Sequence, residues 1–253
     1  MSGDYLRLRQ ICLVAPHLAP AEKAITEVLG LAVCYRDPAV GKYGLENALW
    51  PVGDMFLEVV APRQADTAAG RFLAKSKGRG GYMVIFDCSD TARRAAHASA
   101  IGVRVIADHT HGAYTGVQLH PRDCRAAMIE FNHTQGGDAD PALYAPAGPG
   151  SGWQSARRTG HTRAIRTVEL TSPDPAGLGG HWSNIIERPV VGDEMKFAEA
   201  SLRFVAGDEE SLAALEIAVS DAKATFARAA AANLPRTARG FIASGVEWIP
   251  VEG

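Results

Sequence analysis

One β-α-β-β-β pattern recurs along the chain, and this repetition restricts the fold more than any other feature of the sequence. Alternation of apolar residues, helical apolar spacing and turn residues predict the first copy. Repetition of this kind is stronger evidence for an architecture than any single propensity. The elements of the first copy are a strand at residues 8–14, a helix at 19–30 and strands at 32–35, 47–52 and 55–60.

Three further copies follow the first one. The second has a helix for which Ser89 or Asp90 is the expected N-cap, because both side chains accept hydrogen bonds from a first helical turn. The third has an apolar helical face that includes Leu178 and Trp182, and the fourth has a helix at 221–232. The strands of these copies are predicted at residues 82–88, 103–107, 114–120, 127–133, 164–170, 201–205, 215–219 and 246–251.

Equal spacings support a true internal repeat. Gly30 follows Gln10 by 20 residues, and Glu187 follows Thr167 by the same 20 residues. The chain is therefore expected to be an α+β protein of tandem βαβββ modules, two in each of two domains, with the second domain shortened. The predicted boundaries are a first domain at 6–134, a Gly-, Pro- and Ala-rich linker at 135–160, and a second domain at 161–253.

Composition and charge argue against several classes of partner. The chain is 47% hydrophobic and 21% charged with a net charge of −2, and no Lys/Arg run builds a basic stripe for nucleic acid or an anionic membrane. Its apolar stretches are too short to span a bilayer. The four cysteines show no metal-binding spacing, and the N-terminus lacks a signal-peptide layout. We therefore expect a cytoplasmic protein with reduced, buried thiols.

Two glutamates interrupt apolar strands at equivalent places of the first two modules. Glu58 lies within one such strand and Glu130 within the other. A carboxylate buried in mid-strand must be paired, hydrogen-bonded, protonated or bound to a cation. If the two converge across a pseudo-twofold axis, they form a metal site or a catalytic acid–base pair. In the alternative, both face solvent on an open sheet while Leu57 and Phe131 face the helices.

Further residues are candidates for contact with a small-molecule substrate. A Gly-Asp turn between two strands of the first module sets a register that pairs Leu49 with Glu58 and places Asn47 on the same face. The Asn47 amide is suited to hold a substrate oxygen or a loop, whereas Trp50 points to the opposite face and the core. The expected substrate contacts are Asn47, Leu49, Phe56, Met83 and, at the end of the strand beside Glu130, His120.

Four short segments resemble the vicinal oxygen chelate superfamily. This superfamily includes glyoxalase I, methylmalonyl-CoA epimerase, extradiol dioxygenases and bleomycin-resistance proteins. The resemblance covers residues 8–134 and reaches the rest of the chain through the repeat, and it implies two glyoxalase-like domains. The segments are Gln10-Ile-Cys-Leu-Val14, Val28-Leu-Gly30, Phe56-Leu-Glu58 and Met128-Ile-Glu130.

The resemblance also implies a divalent metal held by one residue from each of four strands. The corresponding positions here are Gln10, Glu58, Met83 and Glu130. Gln10 stands where His is frequent and still offers an oxygen, but Met83 replaces the usual His, and a thioether is a poor ligand for a hard cation. The expected metal ligands are therefore Gln10, Glu58 and Glu130, with the metal unidentified and a metal-free site left open.

The second domain is not expected to make such a site. Its corresponding residues suit a domain that supports the first domain or forms a homodimer. They are Thr167, Arg203, Ala214 and Glu247.

Three functions remain open at this stage. In the first, a lyase or isomerase acts next to a carbonyl group while Glu58 or Glu130 moves the proton and a metal or hydrogen-bond donors steady the enediolate. In the second, a metal-free protein sequesters a small ligand, with Met83 in the wall of the site. In the third, an extradiol dioxygenase would need two histidines and a carboxylate for iron, which Thr167 and Ala214 do not supply.

Overall fold

The computed structural model describes residues 4–137 and 150–253, which form an α+β structure with one sheet of 13 strands. The strands are β1 Leu6–Val14, β2 Leu45–Val52, β3 Met55–Pro62, β4 Gly81–Cys88, β5 Val105–His111, β6 Tyr114–Leu119, β7 Met128–Thr134, β8 Thr162–Ser172, β9 Glu194–Lys196, β10 Ser201–Ala206, β11 Ser211–Val219, β12 Phe241–Ala243 and β13 Val246–Glu252. The α-helices are α1 Leu18–Leu29, α2 Ala68–Lys75, α3 Thr91–Ala100, α4 Pro121–Cys124, α5 Pro175–Ile186 and α6 Ala222–Ala231, and 3₁₀ helices span Pro38–Tyr43 and Gly150–Ala156.

The same strand pairing recurs four times, which confirms the tandem modules. In each module the first strand, which precedes the helix, pairs in parallel with the last strand. These pairs are β1 with β3, β4 with β7, β8 with β10, and β11 with β13. The first strands of neighbouring modules then pair antiparallel, β1 with β4 and β8 with β11. Each half of the chain is thus built from two modules that meet along their first strands.

Local sequence explains where the helices begin and end. The Asp90 side chain caps α3 by accepting a hydrogen bond of 2.9 Å from the Arg93 backbone N–H, which resolves the predicted choice of cap. Gly30 ends α1 in the left-handed conformation with φ of 66°, which glycine adopts without steric cost. Ile25 and Val28 supply the buried face of α1 at helical spacing.

Some predicted elements differ from the structure. The segment at 32–35 forms only an isolated bridge between Tyr35 and Leu49, in which Leu49 exchanges two backbone hydrogen bonds with Cys34 and Tyr35. The helix α2 was not predicted; Thr67 caps it through a bond from the Gly70 N–H. The short strands β9 and β12 were also missed.

The main hydrophobic core lies between the sheet and helices that include α1 and α5. Trp50 is fully buried there, as are Leu57, Val59 and Phe131, so the predicted division of the strands into two faces is confirmed. The predicted register of the first hairpin is also confirmed, since Leu49 pairs with Glu58. No helix in the described ranges is long and apolar enough to cross a membrane.

A close backbone approach joins the two halves of the sheet. Gly81 at the start of β4 pairs with Leu212 of β11, and a Cβ atom on Gly81 would lie 2.1 Å from the Leu212 carbonyl oxygen. A side chain at this position therefore cannot be accommodated without moving backbone.

We expect Gly81→Ala to lower the free energy of unfolding by about 1–3 kcal/mol, because the added methyl group forces the two strands apart. Chemical denaturation measures this change. The matched control is Gly180→Ala within α5, where nothing lies within 4 Å of an added Cβ and the helix gains up to about 1 kcal/mol. If the two substitutions changed the free energy of unfolding equally, the close backbone contact between Gly81 and Leu212 would be contradicted.

Candidate active site

Glu58 and Glu130 lie on the sheet face that is turned away from α1 and α3. Their neighbours in sequence, Leu57 and Ile129, point into the main core, so alternation places both glutamates on the opposite face. We call this the site face, defined by Gln10, Glu58, Met83 and Glu130. Glu58 is 9% exposed and Glu130 is 5% exposed, so the site face is covered rather than solvated.

Two amide groups hold the Glu58 carboxylate. The Gln10 amide donates from Nε2 to Glu58 Oε2 at 2.9 Å, and the Asn47 amide donates from Nδ2 to Oε1 at 2.6 Å. Asn47 is fixed in turn because its Oδ1 accepts a bond of 2.8 Å from the Asp37 backbone N–H. Each carboxylate oxygen therefore has an uncharged donor.

The protonation of Glu58 is shifted by its surroundings. Burial raises the pKa of the Glu58 carboxyl above its ordinary value, and hydrogen bonds from Asn47 and Cys12 oppose this shift. The negative charge of Glu130 raises the pKa of Glu58 further, which indicates that the two carboxylates act on each other electrostatically. Burial, together with the charge of Glu58, raises the pKa of the Cys12 thiol well above its usual range, so Cys12 remains a neutral thiol.

Glu130 is held by a different pair of uncharged donors. The Tyr114 hydroxyl donates to Oε1 at 2.9 Å, and the Gln118 amide donates to Oε2 at 2.8 Å. Both donors come from β6, the strand that pairs with β7. The Asn132 amide donates to the Tyr114 oxygen at 3.1 Å and so directs the hydroxyl proton towards Glu130.

Apolar side chains occupy the middle of the site face. Cys12 pairs with Met83 across β1 and β4, and Met83 pairs with Met128 across β4 and β7. These three side chains belong to a buried cluster that is separate from the main core, and Phe72 and Leu73 of α2 pack on it. The helix missed by the sequence thus covers one end of the site face.

The residues present do not fit the divalent metal that the resemblance implied. At the position where the superfamily carries His, Met83 offers a thioether within an apolar cluster. The Gln10 amide turns an N–H towards Glu58, although a ligand would have to present an oxygen to the metal. In the described residues, no group of three His, Cys, Asp or Glu side chains is arranged to hold a metal ion. Hydrogen bonds already hold the carboxylates of Glu58 and Glu130, the two expected anionic ligands, whereas Gln10 Oε1 has no hydrogen-bond partner among the described residues.

The other predicted substrate contacts divide into two groups. Leu49 and Phe56 lie on β2 and β3 beside Glu58, buried on the site face. His120 does not join them, because β6 ends at Leu119 and the chain turns there into α4. The His120 ring is instead the N-cap of α4, where Nδ1 accepts a bond of 3.2 Å from the Arg122 backbone N–H. The prediction that His120 contacts substrate is therefore not supported by its position.

Two residues of the site face were missed by sequence reasoning. Trp153, from the described end of the predicted linker, is 3% exposed, and its ring centroid lies 4.9 Å from that of Phe56. Arg9 is 1% exposed, and its guanidinium carbon lies 5.8 Å from the centre of the Phe56 ring. The β1–β4 register shifts between Leu8 and Gln10, and this bulge allows Arg9 and Gln10 to share a face. Two features of the sequence could have identified these residues: Trp153 is a lone Trp in a Gly-rich segment, and Arg9 is an Arg within an apolar strand.

A second buried carboxylate group lies beyond Glu130 along the sheet. Asp87 is fully buried, with Arg7 Nη1 at 3.3 Å and the Tyr5 hydroxyl at 3.4 Å. Burial raises the pKa of Asp87 to about 6, and the charges of Arg9 and Arg7 oppose this rise. The cost of desolvation thus exceeds the benefit of the nearby cations at this position.

Comparison with known proteins places this chain in a family. Residues 11–186, which run from β1 to the end of α5, match the model of the family described as glyoxalase-like domain. The chain belongs to the glyoxalase-like domain family. No curated protein matches this glyoxalase-like chain.

Several solved structures are similar to this chain. A hypothetical protein from Staphylococcus aureus is 13% identical and covers 98% of this chain and 99% of its own, with a TM-score of 0.66. A variant of Streptomyces coelicolor methylmalonyl-CoA epimerase in complex with 2-nitronate-propionyl-CoA is 23% identical, covering 51% of this chain and 96% of its own with a TM-score of 0.46. Methylmalonyl-CoA epimerase from Mycobacterium tuberculosis is 20% identical, covering 51% and 87% with a TM-score of 0.45. The likeness to the staphylococcal protein shows the glyoxalase-like fold alone.

The second half of this glyoxalase-like protein replaces the site with ion pairs. Arg203 contacts Glu194 at 2.7 Å and Glu169 at 3.5 Å, and Arg239 contacts Glu169 at 2.8 Å. Arg239 also pairs with Glu247. Basic side chains therefore already neutralise these carboxylates. Two further expected positions, Thr167 and Ala214, are both buried. The expectation that Glu247 corresponds to Glu130 is wrong, because Glu247 pairs with Ala214 as Met128 pairs with Met83, so Ile249 stands at the position of Glu130.

We expect the stability conferred by Asp87 to depend on pH. Because its folded-state pKa of about 6 lies above its ordinary value of 3.8, the contribution of Asp87 is present at low pH and is lost as pH rises through about 6. Between about pH 4 and pH 7 the wild type should lose up to about 3 kcal/mol of unfolding free energy relative to Asp87→Asn. Urea denaturation at both pH values measures this difference.

The control for this prediction is Asp66→Asn. The Asp66 side chain is 85% exposed, so its removal should leave the pH dependence of the wild type unchanged. If the difference in unfolding free energy between the wild type and Asp87→Asn stayed constant over the same pH range, the raised pKa of Asp87 would be refuted.

Proposed function

We propose that the site face transfers a proton at a carbon next to a carbonyl group of a small molecule, as a lyase or an isomerase. The observation that carries this proposal is the pair Glu58 and Glu130. Both are buried, they occupy equivalent places in two modules, and uncharged groups hold them. Membership of the glyoxalase-like family and the vicinal oxygen chelate resemblance are consistent with chemistry of this class.

Uncharged partners leave the carboxyl groups free to change protonation state. In the part of the chain that the structure describes, neither Glu58 nor Glu130 forms an ion pair with a basic side chain. Burial already raises the pKa of Glu58 towards the range in which a carboxylate is an effective base near neutral pH. Glu58 is therefore the better candidate for the base, and Glu130 is its partner.

The proton transfer itself needs only these groups. Glu58 takes the proton from the carbon next to the carbonyl, and the electron pair of the broken C–H bond forms an enolate or enediolate. The proton then returns from Glu58 to the same carbon, or a protonated Glu130 gives its proton to that carbon and is left ionised while Glu58 keeps the abstracted proton until it exchanges with solvent. Asn47 donates one amide N–H to Glu58, and its second N–H is the donor proposed to stabilise the substrate oxygen on which negative charge develops.

A surface cleft borders the Glu58 end of the site. This cleft has a volume of about 250 Å³, and Asn47 lines it together with Asp37 and Arg63. Because the Asn47 amide contacts Glu58 directly, this cleft is the proposed route by which a small substrate reaches the base.

The second candidate function is metal-free binding of a small, partly aromatic ligand. The apolar cluster around Met83 and the aromatic pair of Phe56 and Trp153 favour it, because such surfaces hold a ligand without chemistry. The two candidate functions differ in one measurable property. An enzyme of the proposed kind exchanges a C–H proton of its bound substrate with solvent, whereas a binding protein does not.

We expect Glu58→Gln to lower the rate of proton exchange by at least about 100-fold, because glutamine cannot accept a proton. The measurement is deuterium incorporation from D₂O, followed by NMR, at the carbon next to the carbonyl in a panel of hydroxyketones and hydroxyaldehydes. Glu130→Gln should also slow the exchange. The matched control is Glu252→Gln, since Glu252 is an exposed residue at the end of β13. Proton exchange at the wild-type rate in the double variant Glu58→Gln, Glu130→Gln would contradict the catalytic proposal.

We expect the purified, untagged protein to contain much less than one equivalent of metal, because neighbouring side chains already hydrogen-bond the Glu58 and Glu130 carboxylates and Met83 offers only a thioether. Elemental analysis of the wild type and of the Glu58→Ala, Glu130→Ala double variant makes this measurement. Near-stoichiometric metal that is lost in the double variant would show that Gln10, Glu58 and Glu130 do hold a cation.

A further inference from the structure

Apolar contacts hold the helix α2 over the site face. Ala69 is fully buried in the apolar cluster of that face, and Phe72 and Leu73 pack against the same cluster. Among the described residues, every hydrogen bond and ion pair made by residues 67–76 stays within residues 66–79. No polar contact in that part of the chain therefore ties α2 to the strands that it covers.

Left-handed backbone flanks α2 at both ends. Asp66, which precedes the N-cap Thr67, has a φ of 60°, and Lys77, which follows the C-cap Ser76, has a φ of 55°. This region of backbone conformation is unfavourable for a residue with a side chain, although Asp tolerates it better than Lys. The closed position of α2 therefore carries backbone strain at the two points where the helix joins the chain, and rotation at these points releases it.

The site face needs a movable cover, because its carboxylates are closed off from solvent. Glu58 and Glu130 are only 9% and 5% exposed, and neither of them lines the cleft at Asn47. Leu45 lines this cleft and also packs against the apolar cluster that α2 covers. A small molecule in the cleft therefore lies at the edge of the cover that α2 forms over the site face.

We propose that α2 is a lid, which swings away from the sheet about Asp66 and Lys77 and opens the site face to a small molecule. The proposal rests on the proposed function only for the nature of the molecule that enters. Opening breaks the apolar contacts of three side chains, and release of the left-handed strain offsets part of that loss. It therefore requires much less free energy than unfolding of the main core, as is typical of active-site lids.

The test is alkylation of the native protein by iodoacetamide, with the rate at each cysteine read by peptide mass spectrometry. Iodoacetamide is itself a small carbonyl compound, so its entry measures access to the site directly. Cys12 is 1% exposed and lies in the cluster that α2 covers, whereas Cys88 and Cys124 are fully buried in the main core. Cys12 should react at least about 10-fold faster than the other two, because it needs only a local opening. Equal rates at the three cysteines would overturn the proposal, since Cys12 would then be reached only by unfolding.

Variants then show whether α2 is the element that opens. Phe72→Ala removes a large contact of the lid and should speed alkylation of Cys12 by a further factor of about 10 or more. Leu73→Ala, a smaller truncation, should act in the same direction by about 3-fold or more. The matched control is Phe226→Ala, since Phe226 is also a partly buried helical phenylalanine but packs on the main core from α6. An unchanged Cys12 rate in both lid variants, or an equal acceleration in Phe226→Ala, would show that another movement exposes Cys12.

Failure of the lid is distinguishable from failure of the proposed function. Alkylation requires neither substrate nor turnover, so it reports on α2 alone. Glu58-dependent proton exchange without selective alkylation of Cys12 refutes the lid and leaves the catalytic role. Selective, Phe72-dependent alkylation of Cys12 without Glu58-dependent exchange supports the lid and refutes the catalytic role.

Discussion

The antiparallel pairing of β1 with β4 is the contact on which the rest of the first half depends. It joins two modules along their first strands and places Cys12 opposite Met83 and Gln10 opposite Ile85. Because each module carries its last strand parallel to its first, Glu58 of β3 and Glu130 of β7 then stand on either side of this seam and on the same face. A slip of one residue would send one module's glutamate into the helix-side core. The register of one strand pair therefore decides whether the site exists.

Burial of two carboxylates without cations is the main energetic demand of this arrangement. The protein meets it with hydrogen bonds from amides and a hydroxyl, and the two modules use different residues for the purpose: Gln10 and Asn47 for Glu58, Tyr114 and Gln118 for Glu130. The second half meets the same demand with arginines, as in the pair of Arg203 and Glu194. Uncharged partners preserve the ability to change protonation state, whereas ion pairs hold a carboxylate in its ionised form.

The covering of the site face was the least predictable feature. The segment that forms α2 is only eight residues long, yet Phe72 and Leu73 seal one end of the face. At Phe56, Trp153 packs from a segment that reads as a linker. Both contacts join residues far apart in sequence through a few side chains, and local periodicity carries no information about such contacts. The capping role of His120 was missed for a related reason, since strand alternation does not show where a strand stops.

The sequence by itself determined the module pattern, the division of each strand into two faces and the pairing of Leu49 with Glu58, because these follow from local periodicity and turn chemistry. It also determined that Glu58 and Glu130 occupy equivalent positions. Only the tertiary structure decided that both are buried, which donors hold them, and that Gln10 turns its N–H to Glu58 and keeps its oxygen buried. Those properties depend on which side chains from distant strands and loops meet on one face, and the free energy of a buried polar group is set by those partners.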